Sequence, residues 1–170
     1  DERVNQNSAL WREPASQVKD EQYNEFFKLI SHDGEDPLVR LHYSIDAPLQ
    51  YSALLFVPRS NPEALGFGRG EVSLQLYVKR VLIDGENKNL LPEYLRFVRG
   101  VVESDDLPLN VSRSFLQNDG TVKKLSQHIT KKVGDKLMSL FEGERETYCK
   151  YWDSINPFIK FGCMRDEKFY

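Results

Sequence analysis

The sequence predicts an α/β fold, an α+β sandwich in which a mixed sheet is covered by helices and followed by a helical connector. Three observations carry this. An early apolar run has helical spacing. Several runs between residues 38 and 102 alternate or stay apolar throughout, as strands do. From Ser112 onward the helical period returns.

Taken in order, residues 1–15 are polar except for Leu10-Trp11, with a breaker at Pro14. A helix is expected from Asp20, with Asp20 as its N-cap and Glu21 in the first turn. Tyr23, Phe26, Phe27 and Ile30 repeat at i, i+3, i+4, i+7 and mark its buried face. His32-Asp33-Gly34 should end it, with Gly34 just past the last turn.

Strands follow. Leu38 to Ser44 puts Val39, Leu41 and Tyr43 on one side. Tyr51 to Val57 is apolar throughout and stops at Pro58. Glu71 to Ile83 reads as one long strand with a charged kink at Lys79-Arg80, and Asp84-Gly85 reads as the turn after it. Asn89 to Pro92 suggests a helical turn, Tyr94 to Val102 another strand, and 103–112 a loop. Val122, Leu125, Ile129, Val133, Leu137 and Leu140 then form a stripe along a long helix. Gly134 lies inside it and Gly143 near its end. Residues 144–156 read as a further helix with Tyr148, Tyr151, Trp152 and Ile155 on one face, and 157–170 as the start of another element. The domain boundaries expected are 1–118 for the sheet-bearing core and 119–170 for the connector, truncated at its C-terminus.

Composition narrows the function. With 170 residues, 40% hydrophobic and 12% aromatic, the chain can build a real core, which excludes wholesale disorder. Its 23 Lys and Arg against 26 Asp and Glu leave a net charge of −3, which argues against a dedicated nucleic-acid binder. No apolar run approaches the ~18 residues of a membrane helix, and Asp1-Glu2-Arg3 lacks a signal-peptide layout. Cys149 and Cys163 are too few for a disulfide framework and lack metal-site spacing, so reduced thiols, no metal and a cytoplasmic setting are expected. The first residue is not Met and no turn signal closes the chain at Tyr170, so a piece of a longer protein is expected.

Several motifs invite chemistry and lose to plainer readings. Gly66-Phe67-Gly68-Arg69-Gly70 is glycine-rich, but a phosphate loop opens a helix and here an extended run follows. Residues 59–70 read instead as a surface loop displaying Leu65 and Phe67 to a partner, or tucking Phe67 back onto the sheet. Ser31-His32-Asp33 cannot be a hydrolytic triad, whose members converge in space from distant positions, and His128 does not complete one. Asp105-Asp106 should face water, as should Lys123-Lys124 and Lys131-Lys132.

The run Leu107 to Gln117 is different. Ser112 can cap a helix starting at Arg113, which sets Arg113 and Gln117 side by side at i and i+4. An arginine at a helix N-terminus opposes the helix dipole, unless it reaches outward to an anion such as a phosphate. The competing reading is a surface arginine paired with Asp105 or Asp106.

These residues carry a resemblance. The run from Tyr94 to Arg113, YLRFVRGVVESDDLPLNVSR, closely resembles the signature of the heat-shock protein 90 chaperones. So do Leu76 to Ile83, Leu90 to Tyr94, the Leu10-Trp11 pair before a Tyr-Phe-Phe helix, His32-Asp33, Asp36-Pro37 and Leu55 to Pro58. The likeness covers nearly the whole chain and is nearest to the bacterial form of the family, with a mitochondrial relative still open.

The resemblance implies the middle segment of an ATP-dependent chaperone, with a core like domain 2 of ribosomal protein S5. ATP with Mg²⁺ would sit in a separate N-terminal domain and a C-terminal domain would hold a homodimer, so the isolated segment would be inactive, bind no cofactor alone and remain a monomer. Arg113 matches the arginine that reaches the γ-phosphate, and Asn110 and Gln117 match its neighbours. Trp11, Leu65 and Phe67 match client-contacting or interdomain surfaces. The family commonly has Glu after the arginine, where this chain has Ser114, so the resting position of Arg113 is expected to differ. The alternatives are a non-catalytic docking module for clients or co-chaperones and, against the acidic balance, an RNA-binding domain.

Overall fold

The computed structural model describes residues 9–170 except 65, 67 and 111, with Arg113 described by its backbone alone. A helix α1 (Asp20–Ser31) precedes strands β1 (Val39–Ile45), β2 (Tyr51–Val57), β3 (Ser73–Val78), β4 (Val81–Asn87) and β5 (Arg99–Ser104). Helices α2 (Arg113–Asn118), α3 (Gly120–Gly143), α4 (Arg145–Lys150) and α5 (Trp152–Arg165) follow. The five strands form one sheet in the order β1-β2-β5-β3-β4. It is mixed, because β3 runs parallel to β5 while the other pairs are antiparallel.

β2 explains the layering. A strand covered on both faces cannot alternate apolar with polar, and Ala53 to Val57 are all buried. Leu54 and Phe56, with Val101 of β5, meet Tyr23, Phe26 and Phe27 of α1 and the 3₁₀ turn Leu10–Arg12. Tyr51, Ala53, Leu55 and Val57 look the other way, into a cluster that contains Val122, Leu125, Ile129, Val133 and Leu137 of α3 and Ile155 and Phe158 of α5. Residues on both sides of position 119 therefore share one apolar core, and the helices after it form a covering layer. Phe169 folds back over this layer. Its ring lies where any side chain at Gly162 would sit, 2.8 Å from the position a Cβ would take.

Several expected elements are corrected. The long strand over 71–83 is a hairpin, with Lys79 and Arg80 both at positive φ in a two-residue turn and Asp84-Gly85 lying inside β4. The strand expected over 94–102 is displaced: a 3₁₀ turn occupies Glu93–Leu95, and β5 carries on to Ser104. Lys19, not Asp20, precedes α1, and its N–H donates to Gln22 Oε1 at 2.9 Å. His32, not Gly34, takes the left-handed position after the helix. The helix expected over 144–156 breaks at Tyr151, and α5 runs through Pro157 to Arg165.

Gly100 makes the tightest approach in the sheet. It has φ +151°, and a Cβ there would lie 2.2 Å from the Leu54 carbonyl oxygen and 2.9 Å from Leu55 Cα. Neither atom can move without parting β5 from β2. Overpacking and backbone strain cost about 1–3 kcal/mol each. Gly100→Ala should therefore lose at least about 2 kcal/mol of stability in urea unfolding. A loss below about 1 kcal/mol would show that β2 and β5 are not so closely laddered.

Candidate functional site

The end of β5 is built around Glu103, whose side chain is 2% exposed. A buried carboxylate is costly unless donors surround it. Here they come from three parts of the chain. The Trp11 indole N–H donates at 2.6 Å, Arg12 Nε donates at 2.6 Å with its terminal nitrogen on the second oxygen, and the backbone N–H of Arg80 donates at 2.6 Å. Burial alone would raise the pKa of Glu103. The hydrogen bonds from Arg12, Trp11 and Arg80 and the Arg12 charge outweigh it and hold the carboxyl below its ordinary value. The same bond fixes the strained Lys79-Arg80 turn.

The β2–β5 ladder ends at Tyr51 opposite Ser104, and side chains take over from it. Gln50 N–H donates to Asp106 Oδ2 at 2.7 Å, and the Ser104 hydroxyl donates to the Gln50 carbonyl at 3.0 Å. Leu107 is buried, and Pro108, Leu109 and Asn110 are exposed. Ser112 Oγ then accepts the Phe115 N–H at 3.2 Å, the cap that the sequence indicates. Leu116 buries one side of α2 while Gln117 stays exposed. Asp119 next caps α3 through the N–H groups of Thr121 and Val122. The loop thus runs between two buried leucines, with Asn110 exposed within it and Gln117 exposed just beyond it. The carboxylates offered by the competing reading have other partners: Asp106 holds Gln50, and Asp105 lies 3.5 Å from Arg12.

The other candidates separate clearly. Trp11 is not a surface residue. Its ring lies 4.8 Å from Tyr77 and 6.1 Å from Phe26, and its N–H donates to Glu103. Leu65 and Phe67 lie outside the described residues. Their loop is tied down by Glu63, which accepts a fork from Arg96 and the Gly70 N–H at 3.1 Å. The Arg96 fork, with the Gly70 bond and the charges of Arg96 and Arg69, keeps the Glu63 pKa low despite its burial. Ser31 bonds within its own helix end, to the Phe27 carbonyl. His128 faces Tyr51, not a serine, with the hydroxyl 2.5 Å from Nδ1. Lys131 pairs with Asp135 on the solvent side of α3, and Lys132 lies over the Tyr43 ring. Among the described residues, no group of three or more His, Cys, Asp or Glu could hold a metal, and no helix is long and apolar enough to cross a membrane.

Sequence reasoning missed Glu103, which it placed in a solvated loop. The available signal was local: an acid two residues after Val101 keeps the strand alternation, on the face that also carries Val101. Nothing local points to its partners, which lie 91 and 92 residues away.

A family model described as "Hsp90 protein" matches residues 1–169. The chain is 44% identical to the "Chaperone protein HtpG" of Desulfotalea psychrophila over 168 residues, 99% of this chain and 27% of the relative. It is 47% identical to the HtpG of Nitratidesulfovibrio vulgaris over 161 residues, 95% and 25% of the two chains. It is 38% identical to that of Porphyromonas gingivalis over 170 residues, 100% and 24%. The chain thus spans about a quarter of the length of these relatives.

Replacing Glu103 tests the foundation of the site. Glu103→Gln should cost about 2–3 kcal/mol near neutral pH, the worth of a hydrogen-bonded charge. The folded protein binds the Glu103 proton more weakly than the unfolded chain does. Its contribution is therefore full above the ordinary glutamate value of about 4.3 and fades as the pH falls through the lower folded value. Denaturant titrations of both proteins at pH 7 and pH 3 should show the gap narrowing in acid. A gap that is constant across this range would contradict the assignment.

Proposed function

The chain belongs to the Hsp90 family, and we propose that it acts as the middle segment of an ATP-dependent chaperone, presenting Arg113 to the γ-phosphate of ATP held by a separate domain. The supporting observation is the suspended loop. Its root at Leu107 and its far end at Leu116 are buried, while Pro108, Leu109 and Asn110 between them are exposed. Cleavage of the β–γ bond spreads negative charge over the γ-phosphoryl oxygens, and a guanidinium brought to them stabilises that charge. Exposed Asn110 and Gln117 flank Arg113 and would orient the contact. ATP and Mg²⁺ are assigned to the nucleotide-binding domain of the longer protein, and this segment supplies the arginine.

The wider assignments rest on the family. The longer protein is a cytoplasmic bacterial homodimer joined through its C-terminal domain, and it acts on unfolded or partly folded clients. Residues 119–170 lead from the loop-bearing core toward the rest of that chain. Client contact is assigned to the 59–70 loop through Leu65 and Phe67. A docking module without a catalytic arginine is the second reading, and exposed Leu109 and Phe115 beside the loop favour it.

Arg113→Ala in the longer protein separates the two. Steady-state ATP turnover should fall roughly tenfold or more, less than the ~10³–10⁵ of GTPase arginine fingers, because slow domain closure limits the rate. ATP affinity should hold within about twofold, the signature of an interaction made only on the way to the transition state. Unchanged turnover would leave the docking reading alone. Separately, Phe67→Ala should weaken suppression of client aggregation by the longer protein while ATP turnover persists, and full suppression would remove the loop from the client surface.

A further inference from the structure

We propose that Asp106, together with Ser104, is a positioning residue for Arg113, because the two side chains staple the root of the arginine loop to the chain just before β2. The inference rests on the phosphate-contact reading of Arg113 and deepens it.

The β2–β5 ladder stops at Tyr51 and Ser104. One residue further out, Gln50 would otherwise offer its N–H and C=O to water. Instead both are engaged from β5 and its continuation. Asp106 Oδ2 accepts the N–H at 2.7 Å, and the Ser104 hydroxyl donates to the carbonyl at 3.0 Å. The same hydroxyl oxygen receives the Asp106 N–H at 3.3 Å, which closes a small network. Ser104 is fully buried, and Leu107 is buried directly after the network. The sheet is thereby prolonged by side chains for two residues, as far as the buried Leu107 from which the loop departs.

An exposed acid in a loop is ordinarily a solvated charge. Asp106 is spent instead on one neutral backbone N–H. Such a bond adds little to the stability of a chain whose sheet and helices are otherwise intact. Its effect is geometric, since it fixes where the loop leaves the sheet, seven residues before Arg113. Without it, the loop would pivot closer to Ser104, and the arginine would search a larger volume before meeting a phosphate. Misplacement by about 1 Å can cost as much as ~10²-fold in rate.

The experiment uses the longer protein and compares Asp106→Ala, Asp106→Asn, Ser104→Ala and Arg113→Ala, the last also combined with Asp106→Ala. Single-turnover ATP hydrolysis, ATP affinity and thermal midpoint are measured for each. Asp106→Ala should slow hydrolysis about 5–10-fold, with affinity within about twofold, and should leave the thermal midpoint within a few degrees of wild type. Ser104→Ala should show the same split between rate and affinity. Asp106→Asn keeps an acceptor oxygen and should recover most of the lost rate. In the Arg113→Ala background Asp106→Ala should add almost nothing, because both act through one contact. The inference is overturned if Asp106→Ala and Ser104→Ala hydrolyse at the wild-type rate while Arg113→Ala is slow. It is equally overturned if Asn is as slow as Ala, or if the losses add in full. Wild-type hydrolysis by Arg113→Ala would remove the phosphate-contact reading itself, and this inference with it.

Discussion

A single buried carboxylate holds the working end of this molecule together. Glu103 sits at the end of a central strand and is satisfied only because three separated pieces of chain converge on it: Trp11 and Arg12 from the N-terminal turn, and Arg80 from the β3–β4 turn. An uncompensated charge at that depth would cost several kcal/mol, so these pieces are placed together or not at all. Arg12 remains 31% exposed and keeps part of its hydration, so the pair avoids the full penalty of burying two ions. The arrangement also supports two non-glycine residues at positive φ, Lys79 and Arg80, which would not hold that turn unaided.

The sheet conveys this rigidity outward. β2 is buried on both faces, so α1 lies against one side and α3 and α5 against the other, and the sheet cannot slide against either layer without exposing apolar surface. β5 lies between β2 and β3, and Gly100 allows it to approach Leu54 and Leu55 more closely than any other residue could. The arginine loop leaves the end of this strand. It starts from a strand paired on both edges and buried on both faces.

Legibility from the sequence followed the range of the interactions. The buried face of α1, the apolar run of β2, the stripe of α3 and the Ser112 cap depend on neighbours a few residues away, and all were readable. The hairpin at Lys79-Arg80 was not. Two charged residues give none of the Gly or Asn signals of such a turn, and its support comes from a carboxylate 23 residues on. Trp11 reads as an apolar anchor in a polar segment, but nothing local shows that its environment is Tyr77, Phe26 and Glu103. The break at Tyr151 was not readable either, since the apolar spacing continues across it. The cap at Ser112 and the i+4 spacing of Arg113 and Gln117 were legible because they are local, whereas the partners of Asp105 and Asp106 had to be located in three dimensions.

That last point bears on the serine that follows Arg113. A glutamate there would place a negative charge in the first turn of α2, favourable for the helix dipole. With Ser114 the first turn holds no acid, and the Ser114 hydroxyl lies 2.9 Å from that of the capping Ser112. The helix keeps its cap without an acid beside it. Asp105 lies 3.5 Å from Arg12, and Asp106 accepts the Gln50 N–H. The first turn of α2 is therefore held by the Ser112 cap alone. The helix forgoes a small dipole interaction of roughly 0.3–1 kcal/mol, and the cap, which satisfies the Phe115 N–H, is what fixes where it begins.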